Sequence, residues 1–209
     1  TVNLNYNIDL KDKVKISKIE FTGKKIIKDR TLRNLITIEE SKFWKFLSKK
    51  KYLNKQNLLR DERLLRKYYL DRGYYDVIVN TSTAVLLDNN SFNVTYNINA
   101  GNIYKIGKTK LVLPIDYDKK NFLEVLNLLD KIKGKNYSFY GVSKIVKAID
   151  KISLSREYDF ITAEIDEEKT LENKINLTFI VSETEKLYVE QVNIFGNNIT
   201  EGRVIRDQL

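Results

Sequence analysis

The sequence predicts an α+β fold of tandem modules, each a three-stranded sheet with two helices on one face. Three observations predict it. Short runs alternate apolar and polar residues, the runs recur at a near-constant period, and helically spaced apolar residues fill the gaps between them. Alternation marks a strand with one buried face, and a three-to-four spacing marks an amphipathic helix.

The period comes first. Val2-Asn3-Leu4-Asn5-Tyr6-Asn7-Ile8, Phe92-Asn93-Val94-Thr95-Tyr96-Asn97-Ile98 and Ile175-Asn176-Leu177-Thr178-Phe179-Ile180-Val181 align without gaps, each apolar at every second place with Asn second. Ile180 is the lone break. Each run leads into another strand. Ile16 to Gly23 and Val189 to Gly196 share apolar-x-x-apolar-x-apolar-x-Gly, and Tyr104 to Leu113 keeps the strand character without the glycine. Corresponding positions Ile19, Ile106 and Val192 lie 87 and 86 residues apart. A fixed period of this size signals repeated structural units. The expected division is the last strand of one repeat (1–13), two complete repeats (14–101 and 102–184), and the opening of a fourth unit (185–209).

Within the first complete repeat, Gly23 closes the first strand, where a positive φ turns the chain toward a helix. Asp29 is placed to cap a short helix carrying Leu32, Leu35 and Ile36. A second helix, about Asn54 to Arg72, carries Leu58, Leu65, Tyr68 and Tyr69 on one face, and Gly73 stops it in a left-handed conformation. Tyr74 to Leu86 is strand-forming, Asp88-Asn89-Asn90 turns, and the Phe92 strand returns as a hairpin. The second repeat copies this plan. Asp118 caps a helix with Phe122, Leu126 and Leu129, Gly134 sits in the connection, and Ser138 opens a helix with Val142, Ile145, Ile149 and Ile152. Phe160 to Asp166 and Ile175 to Ser182 form its hairpin, with Asp166-Glu167-Glu168 in the turn.

Composition narrows function. No Cys is present, so there is no thiolate nucleophile or thiolate metal site, and no His, the commonest general base and metal ligand. No phosphate-binding glycine loop, nucleophile elbow or metal-ligand spacing is found. The expectation is no enzyme, no catalytic residue, no metal and no cofactor. The net charge of +9 invites a nucleic-acid reading, but the lysines are spread along the chain. Lys42-Phe43-Trp44-Lys45-Phe46-Leu47, before Lys49-Lys50-Lys51, mixes bases with aromatics, and its favoured role is to plug the end of a small core. No apolar run reaches the roughly 20 residues of a membrane-spanning helix. Thr1 leads straight into a strand and the last residues look like a helix cut short, so the chain reads as an excised piece.

Together these elements and residues resemble the POTRA repeat of the BamA family. Lys67-Tyr68-Tyr69-Leu70-Asp71-Arg72-Gly73-Tyr74 is similar to its Tyr-Tyr-x-x-x-Gly-Tyr signature. Phe21-Thr22-Gly23 and Ile194-Phe195-Gly196-Asn197 are similar to its strand-ending apolar-x-Gly-Asn signature. Asp159-Phe160 departs from the family's Gly-Tyr, and Lys24 stands where Asn is usual. The connection Ile38 to Leu53 resembles the insertion of the third of five repeats, which makes 14–101 third-like and 102–184 fourth-like.

The resemblance implies a periplasmic scaffold at the outer membrane, in a parent chain anchored by a β-barrel. Its partners would be accessory lipoproteins and unfolded outer-membrane proteins, with no nucleic acid. It also implies that the second strand of the third-like repeat is a sheet edge that accepts partner strands by β-augmentation. The candidate docking residues are Tyr75, Asp76, Val77, Ile78, Val79, Asn80 and Thr81, with Ile78 as outward anchor if Tyr75, Val77 and Val79 face the helices. Translocation-assembly and two-partner-secretion arms are the nearest alternative within this class, and a basic nucleic-acid-binding module is the alternative outside it.

Overall fold

In the computed structural model, residues 14–41, 52–86, 91–155 and 161–183 are described. The predicted strands before residue 14 and after 184, the Phe43-Trp44 segment, the Asp88 turn, Asp159-Phe160 and Gly196 lie outside them. The first module runs β1 (Lys15–Thr22), α1 (Asp29–Leu35), α2 (Lys55–Leu70), β2 (Ile78–Leu86) and β3 (Ser91–Asn99). The second runs β4 (Lys105–Val112), a 3₁₀ turn (Lys119–Phe122), α3 (Leu123–Ile132), α4 (Phe139–Ser155), β5 (Ile161–Lys169) and β6 (Lys174–Glu183). Both sheets have three strands and one topology. The last strand of the module lies in the middle, parallel to the first and antiparallel to the second, in the orders β1-β3-β2 and β4-β6-β5.

Alternation in the middle strands builds both cores. Phe92, Val94, Tyr96 and Ile98 of β3 are buried, as are Ile175, Leu177, Phe179 and Val181 of β6, because successive side chains of a strand point to opposite faces. Against Val94, Tyr96 and Ile98 pack Ile16, Ile19, Phe21, Leu32, Leu65 and Tyr69. Against the second pack Phe122, Val125, Leu129, Val142, Ile145, Ile149 and Ile152. The buried carboxylate of Asp61 ties helix, loop and sheet together. It accepts from Thr37 N–H and Oγ1, both at 2.6 Å, from Ile38 N–H at 3.1 Å and from Tyr96 OH at 3.2 Å.

Several boundaries differ from expectation. Lys28, not Asp29, holds the N-cap position of α1 and makes no side-chain cap bond. Asp29 lies in the first turn, where its charge suits the helix dipole, and pairs with Lys25 at 2.5 Å. Asn54 does cap α2, accepting from Gln56 N–H at 2.8 Å. Asp118 caps the 3₁₀ turn that precedes α3, accepting from Lys120 N–H, and Ser138 Oγ accepts from Gly141 N–H at the start of α4. Asp166-Glu167-Glu168 is strand, not turn: β5 extends to Lys169, and the reversal falls at 170–173. Tyr75, Asp76 and Val77 are not strand residues. They form the turn between α2 and β2, which begins only at Ile78.

Candidate partner-docking edge

The signature Lys67–Tyr74 shapes the entry to β2. Tyr69 is fully buried; its hydroxyl donates to the Lys25 carbonyl, and burial pushes its phenol up to about 12. Tyr74 meets it edge-on at 5.7 Å, and the Arg72 guanidinium lies 3.4 Å from the Tyr68 ring centroid. Gly73 has φ +92°, and a Cβ there would stand 3.1 Å from the Tyr104 carbonyl oxygen. That close approach is where the two modules meet, since Tyr104 N–H donates to Gly73 O at 2.8 Å.

More contacts cross this junction. Asp71 Oδ1 accepts from Tyr140 N–H at 2.7 Å and Ser138 Oγ at 3.2 Å, so a carboxylate of the first module holds the N-terminus of α4 in the second. Tyr75 OH and Tyr137 OH donate to the two oxygens of Glu167 at 2.6 and 2.9 Å, and their rings meet edge-on at 4.9 Å. Burial raises both phenols above their usual range, with the Glu167 carboxylate adding to it. Asp76 accepts from Lys169 Nζ at 2.7 Å and Tyr104 OH at 2.6 Å, which hold its carboxyl below the usual 3.8. Glu167 was expected in a solvated turn and Lys169 was not singled out in the sequence. The signal was present: Ile161, Ala163, Ile165 and Glu167 form one alternating, half-buried set on β5.

Beyond the junction, β2 is an edge. Val77 is buried and Val79 packs on the first core, whereas Ile78 is 54% exposed and Asn80 is exposed. The parity of the backbone follows from one contact. Thr81 N–H donates to Glu62 Oε1 of α2 at 3.0 Å, so it points away from β3. N–H and C=O groups of alternate residues share a side in an antiparallel pair, so Val79, Thr81 and Thr83 present theirs outward, while Ile78 and Asn80 bond to β3. Beside this margin opens a cleft of about 1240 Å³, walled by Arg63 and Arg66 of α2, by Phe139, Val142 and Val146 of α4, and by Ile165 of β5.

The other margin of the first sheet is occupied by its own chain. Ser41 N–H donates to Ile16 O at 2.7 Å, Leu53 N–H donates to Val14 O at 3.0 Å, and Lys15 bridges to Tyr52. Ile19 N–H donates to Glu40 and its carbonyl accepts from Arg33, whose guanidinium pairs with Glu40 at 2.6 Å. The β4 margin is likewise met by residues 134–136. Among the described residues β1 is met by backbone of its own module and the outward backbone of β2 only by the Glu62 side chain, which leaves the β2 margin as the place to receive a strand.

Among the described residues no cluster of acidic side chains could hold a metal ion, and no helix is long and apolar enough to cross a membrane.

Comparison with known proteins accords with this architecture. The POTRA family profile, described as a surface antigen variable number repeat, matches residues 14–101. The outer membrane protein assembly factor BamA of Neisseria meningitidis serogroup B is 25% identical over 210 residues. The match covers 100% of this chain and 26% of that protein, so the chain spans about a quarter of its relative's length. The crystal structure of Haemophilus influenzae BamA POTRA repeats 3–5 superposes with a TM-score of 0.67 at 19% identity, covering 95% of this chain and 77% of that one. BamA from Haemophilus ducreyi lacking POTRA domains 1–3 gives 0.61 at 14% identity, covering 81% and 29%. The profile match makes residues 14–101 a POTRA repeat, and the curated relative and the shared fold of both modules support a POTRA fragment of the BamA type.

Proposed function

We propose that this chain is part of the periplasmic arm of an outer-membrane protein insertase, with 14–101 and 102–184 as its third-like and fourth-like repeats. The arm works as a scaffold: it lends the free margin of β2 to extended segments of other chains. Those chains would be accessory lipoproteins of the machine and unfolded barrel proteins on their way to the membrane. The observation that carries this reading is the asymmetry of the first sheet among the described residues, with β1 met by backbone of its own module and the outward backbone of β2 by the Glu62 side chain alone.

The docking strand is narrower than the sequence suggested. Ile78 to Thr83 supplies it, with backbone groups of Val79, Thr81 and Thr83 for pairing and Ile78 as outward anchor. Tyr75 and Asp76 hold the module junction instead. A strand paired across three such residues gains about six hydrogen bonds, each worth about 0.5–1.5 kcal/mol net. Association costs an estimated 4–15 kcal/mol, so backbone pairing alone gives a weak grip that is nearly blind to sequence. A scaffold serving many clients needs that property. A dedicated partner would add side chains in the cleft beside Phe139 and Val146.

Photo-crosslinking in the intact parent protein tests this. A photoreactive residue at Ile78 or Ser82 should capture partner chains in cells, and one at Lys18 on β1 should not. Equal capture from both margins would contradict the reading.

A further inference from the structure

Both margins of the first sheet carry a carboxylate on an outward backbone N–H: Glu40 on Ile19 of β1 and Glu62 on Thr81 of β2. The two are held differently. Glu40 is clamped by Arg33, which also takes the Ile19 carbonyl, so carboxylate, guanidinium and strand form a closed set. Glu62 has no ion-pair partner among the described residues, and its only hydrogen bond there is the one to Thr81. Arg66 lies four residues further along α2, on the same helical face, and borders the cleft with Glu62. Among the described residues Arg66 forms no ion pair either.

We propose that Glu62 is a displaceable plug on the docking margin. It occupies the Thr81 N–H while the margin is empty. When an extended segment arrives, a carbonyl oxygen of that segment takes the Thr81 N–H, and the Glu62 carboxylate swings to Arg66. An edge donor left bare invites pairing with any chain, including a second copy of this one. A carboxylate with a waiting cation nearby blocks casual pairing and still yields to a strand that registers across Val79, Thr81 and Thr83 together. The neighbouring Thr81 Oγ1 is buried with no hydrogen-bond partner, so the closed arrangement leaves a polar group unsatisfied. This proposal rests on the reading of β2 as the docking strand.

The test uses the full chain, its Glu62→Ala variant and a Thr83→Pro variant. The probe is a labelled peptide of about ten residues alternating valine and threonine, long enough to span the margin. Glu62 is half-buried on α2 and belongs to neither core, so replacing it leaves the cores intact. Binding is followed by fluorescence anisotropy and Thr81 amide exchange by NMR. The expected result is that Glu62→Ala binds the peptide roughly fivefold more tightly, the worth of about one net hydrogen bond. Its Thr81 amide should also exchange as fast as that of Thr83, whereas in the unaltered chain it exchanges more slowly. If Glu62→Ala and the unaltered chain bind alike while Thr83→Pro abolishes binding, the margin docks strands without a plug, and this proposal alone is overturned. If none of the three proteins binds the peptide, the docking reading fails and the plug fails with it.

Discussion

Asp61 satisfies four donors from inside the first core, and two of them, Ile38 N–H and Tyr96 OH, are buried and would be left without a partner if it were removed. Asp61→Ala should therefore destabilise the first module by about 3 kcal/mol, seen as a lower urea midpoint, because unsatisfied buried groups cost more than the lost bonds. Asp61→Asn keeps the oxygen and should cost less. Nothing in the sequence singled out Asp61, since an acid within the charged run Arg60-Asp61-Glu62-Arg63 of a helix is usually solvated. Its role depends on Thr37 and Tyr96, residues 24 and 35 positions away, which only the tertiary fold brings to it. Ile78 was legible because alternation fixes which side of a strand each residue occupies. Tyr75 and Asp76 were misassigned for a related reason: an aromatic and an acid before Val77 fit an alternating pattern, but their polar tips are claimed by Glu167, Tyr104 and Lys169 across the junction.

At the scale of the element, Gly23 ends β1 with φ +83°, and a Cβ there would lie 2.5 Å from the Ile98 carbonyl oxygen. Gly23→Ala should cost about 2 kcal/mol or more, through both the left-handed backbone and that clash. Thermal denaturation of the single variant measures it. A proline belongs on β2 where the N–H faces outward. Thr83→Pro should leave the fold intact and block docking, while Ile78→Pro should also break a bond to β3 and lower stability. Comparing the two melting temperatures checks the backbone parity directly. The helices and middle strands were legible in the sequence because periodicity is strong where one face is fully buried. Where β2 starts was not, since the turn Tyr74–Val77 is built by contacts from the second module.

At the scale of the molecule, the junction is a polar cluster, and its charges set its working range. Asp76 has a folded pKa below its ordinary 3.8, so its contribution is complete above 3.8 and is lost as pH falls through the lower folded value. Lys169 is raised above 10.5 by Asp76, so its share is complete below 10.5 and is lost as pH rises through the folded value. With no His in the chain, this contact should hold through the neutral range and loosen only in acid or strong alkali. Spin labels on α2 and β6 report this as a distance distribution that broadens at the two extremes. Asp76→Ala should broaden it at neutral pH. The repeat period made two modules legible, but no pattern within one module could show that Asp71 reaches across to α4.

The central claim is that partner chains pair with the open margin of the first sheet. Amide exchange of the full chain, with and without a urea-unfolded outer-membrane barrel protein diluted into it, tests that most directly. New protection should appear at Val79, Thr81 and Thr83, with β1 unchanged. Protection confined to β1 or β5, with none along β2, would contradict it.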